Sequence, residues 1–262
     1  MPLTAPRARA RAHAKGTYVY CVVQARRMPS VEAAPPGPPG LGPHRVLDGG
    51  DGLWLVAADA PLPRFGEAAI QRGLRNLTWL SRCAVAHEAV VEHCLRFRTV
   101  VPMKLFTLFD NDIRALAEIR RRRRQLDRTV ERVGGRREWG VRIRDSGAPA
   151  VAGVRRPATG AGYLAAKRQA RDAQHARAAI ARSGVDKAFA ALAAVAADAE
   201  RRPVLEGVEV KTRLLLDAAF LVPIGATARF LAATGRLARD LGRDACSLEV
   251  TGPWPPYSFI ES

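Results

Sequence analysis

The sequence predicts an α+β protein of two domains, the C-terminal one ferredoxin-like (β-α-β-β-α-β) with a long helical insertion. Three observations carry this. Runs of β-branched and aromatic residues alternate with proline-free stretches whose apolar residues recur every three or four positions. Gly134-Gly135 stop one helical pattern and open a second series of elements. In that series the order strand, helix, strand, strand, helix, strand is the arrangement in which two helices cover one face of a four-stranded antiparallel sheet. With 262 residues and 48% apolar content, the chain can bury a substantial core.

The elements follow in chain order. Residues 1–16 are basic without the apolar run of a signal peptide, and they read as a disordered arm. TYVYCVVQ, from Thr17, is the first strand of an N-terminal α+β domain spanning 17–135. Six prolines among the seventeen residues 28–44 make the next segment an exposed, extended loop. HRVLDGG and GLWLVAAD are paired strands closed by Gly-Gly. Residues 67–96 carry Ile70, Leu74, Leu77, Leu80, Val85, Val90 and Leu95 at helical spacing, and Ser81 offers a break. RTVVPMKLFTLF is β-rich, with Pro102 at an edge, bulge or turn position because it has no N–H to donate. Asp110 and Asn111 then cap one helix that runs through Ile113, Ile119, Leu126 and Val133.

The second domain spans 136–262. REWGVRIRD alternates as a strand, and a Gly/Pro/Ala segment leads into an Ala-rich helical region ending near Arg202, which Ser183-Gly184 offers to divide. VLEGVEVK and LLLDAAFLV supply two strands, a helix covers about 227–241, and CSLEVTG is the last strand. TGPWPPYSF follows as a rigid exit from it. Its prolines stop strand pairing while Trp254, Tyr257 and Phe259 are free either to pack back over the sheet or to meet a partner.

The formal charge of +17 raises nucleic acid, an anionic membrane surface or an acidic protein as partners. Only five of the 42 basic residues are lysines, in a background rich in Ala, Gly and Pro, so compositional bias accounts for much of the excess. No segment reaches the ~20 apolar residues of a membrane span. Cys21, Cys83, Cys94 and Cys246 show no paired spacing and read as reduced cytoplasmic thiols.

No catalytic, cofactor or metal constellation stands out. Cys83, His87 and Cys94 fall near one helical stripe from which His93 is displaced, and zinc sites draw their ligands from separate elements. The Gly-rich phosphate motifs GxxxxGK[ST] and GxGxxG do not occur. Arg120–Arg124 wrap all sides of a helix, so Arg123, closest to the apolar stripe, must snorkel or find an acidic partner. Arg120, Arg121 and Arg124 form either a solvated face or a docking patch for an acidic protein surface. A basic nucleic-acid-binding module is the alternative reading, weakened by the absence of interleaved aromatics on this helix.

Taken in order, TYVYCVVQ, AVAHEAVVEHCLRFRTVVPMKLFTLF, REWGVRI, DAAFLVP and GPWPPYSF resemble the gas vesicle protein family called GvpF/GvpL. The resemblance implies a two-domain α+β non-enzyme, without cofactor or small-molecule substrate. It would be located with gas vesicles in the cytoplasm and act as an accessory or minor structural component in vesicle assembly. Its implied partners are the apolar major wall protein and other vesicle proteins, with Trp254, Tyr257 and Phe259 as candidate contacts. Members read Pro-Leu-Arg-Phe-Gly-Thr where this chain has Pro102, Met103, Lys104, Leu105, Phe106 and Thr107, so Phe106 takes the glycine position. If that glycine serves a tight backbone conformation, a different local geometry is expected here.

Overall fold

The computed structural model describes residues 15–145, 160–204, 213–243 and 245–260. Helices and two antiparallel sheets divide into two compact units: the described residues up to Arg136 together with those from Trp254 onward, and those of Arg137–Pro253. The last segment therefore groups with the first unit, although its sequence position suggested the second.

In the first unit the sheet runs in the order β2 (His44–Gly50), β3 (Leu53–Pro61), β1 (Lys15–Gln24), β4 (Thr99–Pro102), with β5 (Leu108–Phe109) also paired to β1. Lys15 and Gly16, expected in the arm, belong to β1, and residues 1–14 lie outside the described residues. All eight residues between the ends of β1 are buried, because this central strand is covered on both faces. Its pairing with β3 slips between Val19 and Cys21. The bulge lets Tyr18, Tyr20, Cys21 and Val23 all join one core cluster, which strict alternation would forbid. That cluster packs against Val90 and Val91 of α3 (Leu77–His93). The opposite face, with Val19 and Leu55, meets α4 (Asp112–Arg121) and α5 (Arg123–Val133).

Two helix boundaries differ from the sequence reading. The stretch 67–96 breaks before Asn76, not at Ser81: α1 (Leu62–Phe65) and α2 (Glu67–Gly73) precede α3, and the Asn76 side chain caps α3 by accepting from the Trp79 N–H at 3.0 Å. A Cβ on Gly73 would stand 2.3 Å from the Trp79 ring, so the close approach of that indole requires glycine. The helix after Asn111 is interrupted at Arg122, whose φ of −95° and ψ of 14° leave helical space.

Tyr18 and His87 join the layers. The Tyr18 hydroxyl donates to His87 Nδ1 at 2.8 Å, and His87 Nε2–H donates to the Met103 carbonyl at 3.1 Å. A carbonyl can only accept, which assigns the tautomer. Burial pushes His87 down to about 4, with the Met103 carbonyl opposing.

The second unit runs β6 (Arg136–Asp145), α6 (Gly160–Ala193), β7 (Asp198–Arg201), β8 (Arg213–Pro223), α7 (Thr227–Arg243) and β9 (Cys246–Trp254), with sheet order β7-β8-β6-β9. One face of β6 and β8, including Val141, Ile143, Phe220 and Val222, packs on Leu192 of α6 and Phe230 of α7. Phe230 sits 5.6 Å from Phe220 and 6.2 Å from Trp139, which places three rings at the centre of this core. Helix α6 is continuous through Ser183-Gly184 and ends at Ala193, short of Arg202. DAER pairs with β8, with Asp198 opposite Leu221, and of the expected strand VLEGVEVK residues 205–211 lie outside the described residues. DAER has little strand propensity of its own and is extended because β8 offers it backbone partners.

The depressed His87 value has a consequence for stability. His87 binds its proton more weakly in the folded protein than at its ordinary 6.5, so its contribution is complete above that value and drains away as pH falls towards about 4. At ~1.4 kcal/mol per unit this amounts to about 3 kcal/mol. Denaturant melts at stepped pH should show His87→Gln less stable than the parent at neutral pH but with a shallower loss on acidification. Parallel acid slopes would contradict the assignment.

Candidate functional surfaces

The loop between β4 and β5 is held at both ends by the bulge in β1. Met103 N–H donates to the Tyr20 carbonyl at 2.9 Å, and Val19 N–H donates to the Thr107 carbonyl at 3.0 Å. Within it, Thr107 N–H reaches back to the Lys104 carbonyl at 3.1 Å, closing a four-residue turn. Phe106, third in that turn, has a φ of +64°. This is the turn position that demands a left-handed residue and normally takes glycine. A tight left-handed turn is thus present at Phe106 although its residue is not glycine, and it carries a large side chain. The ring stacks on Trp79 at 5.3 Å and 8°, and the Phe106 N–H points at the Tyr18 hydroxyl at 3.4 Å. A left-handed non-glycine residue costs ~1–2 kcal/mol, and a ring pair returns ~0.5–1.5 kcal/mol beyond burial.

Beside this loop the β1 face and α4–α5 do not close completely. They leave an apolar cleft of about 340 Å³ floored by Val19, Leu55 and Val101 and walled by Ile119, Leu126 and Ile260. Met103, Lys104 and Thr107 form its loop side, and Arg122 and Gln125 stand at its edge. Ile260 brings the C-terminal segment into the site.

That segment distributes its aromatics unequally. Phe259 is 1% exposed and the Arg132 guanidinium lies 5.8 Å over its ring, so this candidate partner contact is corrected to an interior packing residue. Tyr257 is half-buried with its phenol towards Glu88 of α3; burial first, and that carboxylate second, raise its ionisation far above the usual range. Trp254 is 39% exposed and is the one ring of the three that offers a large open face.

The arginine run forms a hollow lined by Arg120–Arg124, Gln125 and Arg128. Arg121 and Arg122 share Glu118 at 2.6 and 2.5 Å, and the guanidinium neighbours hold that carboxyl below its ordinary range. Arg123, which needed an acidic partner, has Asp127 at 2.8 Å and Asp51 at 3.0 Å. Arg120, Arg124 and Arg128 are exposed and have no carboxylate within ion-pair distance among the described residues. The cleft and the hollow meet at Arg122 and Gln125, a juxtaposition that sequence spacing did not reveal.

The remaining reactive side chains are engaged internally. Both ring nitrogens of His87 are used, and Cys94 lies beside Cys21, whose thiol is raised by burial. All four cysteines are free and buried. Among the described residues no group of three His, Cys, Asp or Glu is placed to hold a metal ion, and no helix is long and apolar enough to cross a membrane.

The profile described as "Gas vesicle synthesis protein GvpL/GvpF" matches residues 16–261. Gas vesicle protein L of Streptomyces sp. (strain CB03234) is 32% identical over 259 residues, covering 92% of this chain and 91% of that relative. The crystal structure of GvpF from Anabaena sp. PCC7120 is similar with a TM-score of 0.66 at 19% identity, covering 95% of this chain and 97% of that one. GvpF from Microcystis aeruginosa gives 0.59 at 16% identity, covering 94% and 99%. At such identities the two structures speak for the fold alone.

Two expectations follow for stability. Phe106→Ala and Phe106→Gly both lose the stack on Trp79, but only glycine relieves the backbone; the alanine variant should unfold about 1 kcal/mol more easily, and equal melts would contradict the strain. Phe259→Ala should cost about 3–5 kcal/mol, against under about 1 kcal/mol for Trp254→Ala. A Trp254 loss as large as that of Phe259 would mean that both rings serve packing.

Proposed function

From the premise that this chain belongs to the gas vesicle synthesis protein GvpL/GvpF family, with a role in gas vesicle formation, we propose that it is an accessory or minor structural protein that binds the apolar major wall protein. The match across residues 16–261 carries this reading. The physical task is to cover apolar faces of wall subunits before they join the shell, since exposed apolar surface associates indiscriminately in water. The open apolar cleft of the first unit supports it, because a small internal gap would ordinarily be closed by packing. Trp254, with its open ring, and Arg120, Arg121 and Arg124, in the arginine hollow, are further candidate contacts.

The second unit is read as ferredoxin-like, supported by its element order and by a sheet order of β7-β8-β6-β9. The protein works without catalysis, in the cytoplasm and at vesicles. The most conspicuous candidate for chemistry, His87, has both nitrogens committed to structural hydrogen bonds. The nucleic-acid alternative draws on the arginine hollow, but no aromatic lines that hollow to stack a base.

Co-expression of the tagged chain with the wall protein, followed by separation of cytosol from floating vesicles, tests the reading. Co-purification, with vesicle yield reduced when the gene is absent, is expected. A chain that never retains wall protein and whose loss leaves vesicles normal would refute it.

A further inference from the structure

The cleft and the arginine hollow are each incomplete as parts of a self-sufficient fold. The cleft leaves an apolar floor unfilled between the β1 face and α4–α5. At about 340 Å³ it takes apolar side chains, not a folded element. Met103 on its loop side is an unbranched, adaptable residue, suited to a pocket that accepts more than one shape.

The hollow supplies the complementary half. Six arginines against two carboxylates between residues 118 and 128 leave a local charge of +4. The internal ion pairs take Arg121, Arg122 and Arg123, leaving Arg120, Arg124 and Arg128 facing solvent. Arg124 and Arg128 stand one turn apart on α5, about 6 Å along its axis. Carboxylates four residues apart on another helix have the same spacing. The two features share Arg122 and Gln125, so an apolar anchor in the cleft brings its flanking residues directly over the hollow.

We propose that this continuous surface is the docking site for an acidic amphipathic helix of a partner protein. Its apolar side chains enter the cleft, and its carboxylates, spaced by four, pair with Arg124 and Arg128, while Arg120, on the far side of the break at Arg122, adds to the positive charge they meet. Arginine suits this role because its planar fork meets a carboxylate with two parallel hydrogen bonds. The proposal deepens the wall-protein reading and rests on it in taking the partner to be the wall protein.

Fluorescence anisotropy with the full chain tests the site. The probe is a labelled helical peptide of about 18 residues carrying leucines at helical spacing and glutamates four apart. It is run beside a lysine-for-glutamate peptide, an alanine-for-leucine peptide and a single-stranded RNA. The glutamate-leucine peptide should bind and weaken about tenfold between low and moderately high salt, while both control peptides bind at least about tenfold more weakly. The triple variant Arg120→Ser, Arg124→Ser, Arg128→Ser should lose about tenfold in affinity together with the salt dependence. Gln125→Trp, which crowds the mouth of the cleft, should lose binding with unchanged melting. Equal binding of glutamate and lysine peptides, undiminished binding by the triple variant, or RNA bound more tightly than the peptide would each overturn the proposal.

Retention of wall protein separates this from the broader reading. If the triple variant retains it as fully as the parent, the docking site is refuted and the vesicle role stands. If the parent chain retains none while the peptide binds as expected, the wall-protein reading fails and the docking site stands.

Discussion

His87 lies buried between a strand and a loop with both ring nitrogens committed, one to the Tyr18 hydroxyl and the other to the Met103 carbonyl. An unpaired buried polar group costs ~1–3 kcal/mol, so α3, β1 and the loop at Met103 constrain one another. Moving any one strands a donor or an acceptor in the interior. The loop's remaining features depend on that constraint. Tied to the β1 bulge, it must turn within four residues; the turn forces Phe106 into left-handed space, and the Phe106 ring finds Trp79. Trp79 in turn approaches Gly73 too closely for any side chain and lies in the first turn of the helix capped by Asn76. The helix break before Asn76 thus accommodates the aromatic stack beneath the loop.

The same loop forms one side of the apolar cleft, and the C-terminal segment contributes Ile260 to another. This gives the proline-rich ending a physical purpose. Pro255 and Pro256 are buried, and they direct the chain so that Phe259 enters the interior while Trp254 stays open. A stretch with the composition of a binding tail is in the main a packing element, one of whose residues lines the surface where binding is proposed.

The arginines do little for folding. Their pairs with Glu118 and Asp127 join neighbouring turns of α4 and α5 at partly exposed positions, where such pairs contribute ~0–1 kcal/mol. Arg123 differs because its half-buried guanidinium also reaches Asp51, in the turn between β2 and β3. The α5 stripe of Leu126, Val130 and Val133 supplies the burial that holds the helix, leaving the other faces of its charge run unconstrained by the core.

Strands with β-branched and aromatic runs, the Gly-Gly hairpin, the Asn111 cap and the helix that follows β8 in the second unit were all legible, because each is written in local side-chain chemistry. The family resemblance and the need of Arg123 for an acidic partner were legible for the same reason. Other features belong to residues far apart in the chain. DAER becomes a strand only because β8 lends it backbone partners. The left-handed turn at Phe106 persists because hydrogen bonds to β1 and a ring on α3 offset its strain. The burial of Phe259, and the meeting of cleft and arginine hollow at Arg122 and Gln125, likewise arise only when distant segments pack. Local propensity and periodicity act over a few residues and settle which elements form; which surfaces remain open depends on long-range packing, and only the tertiary structure decides it.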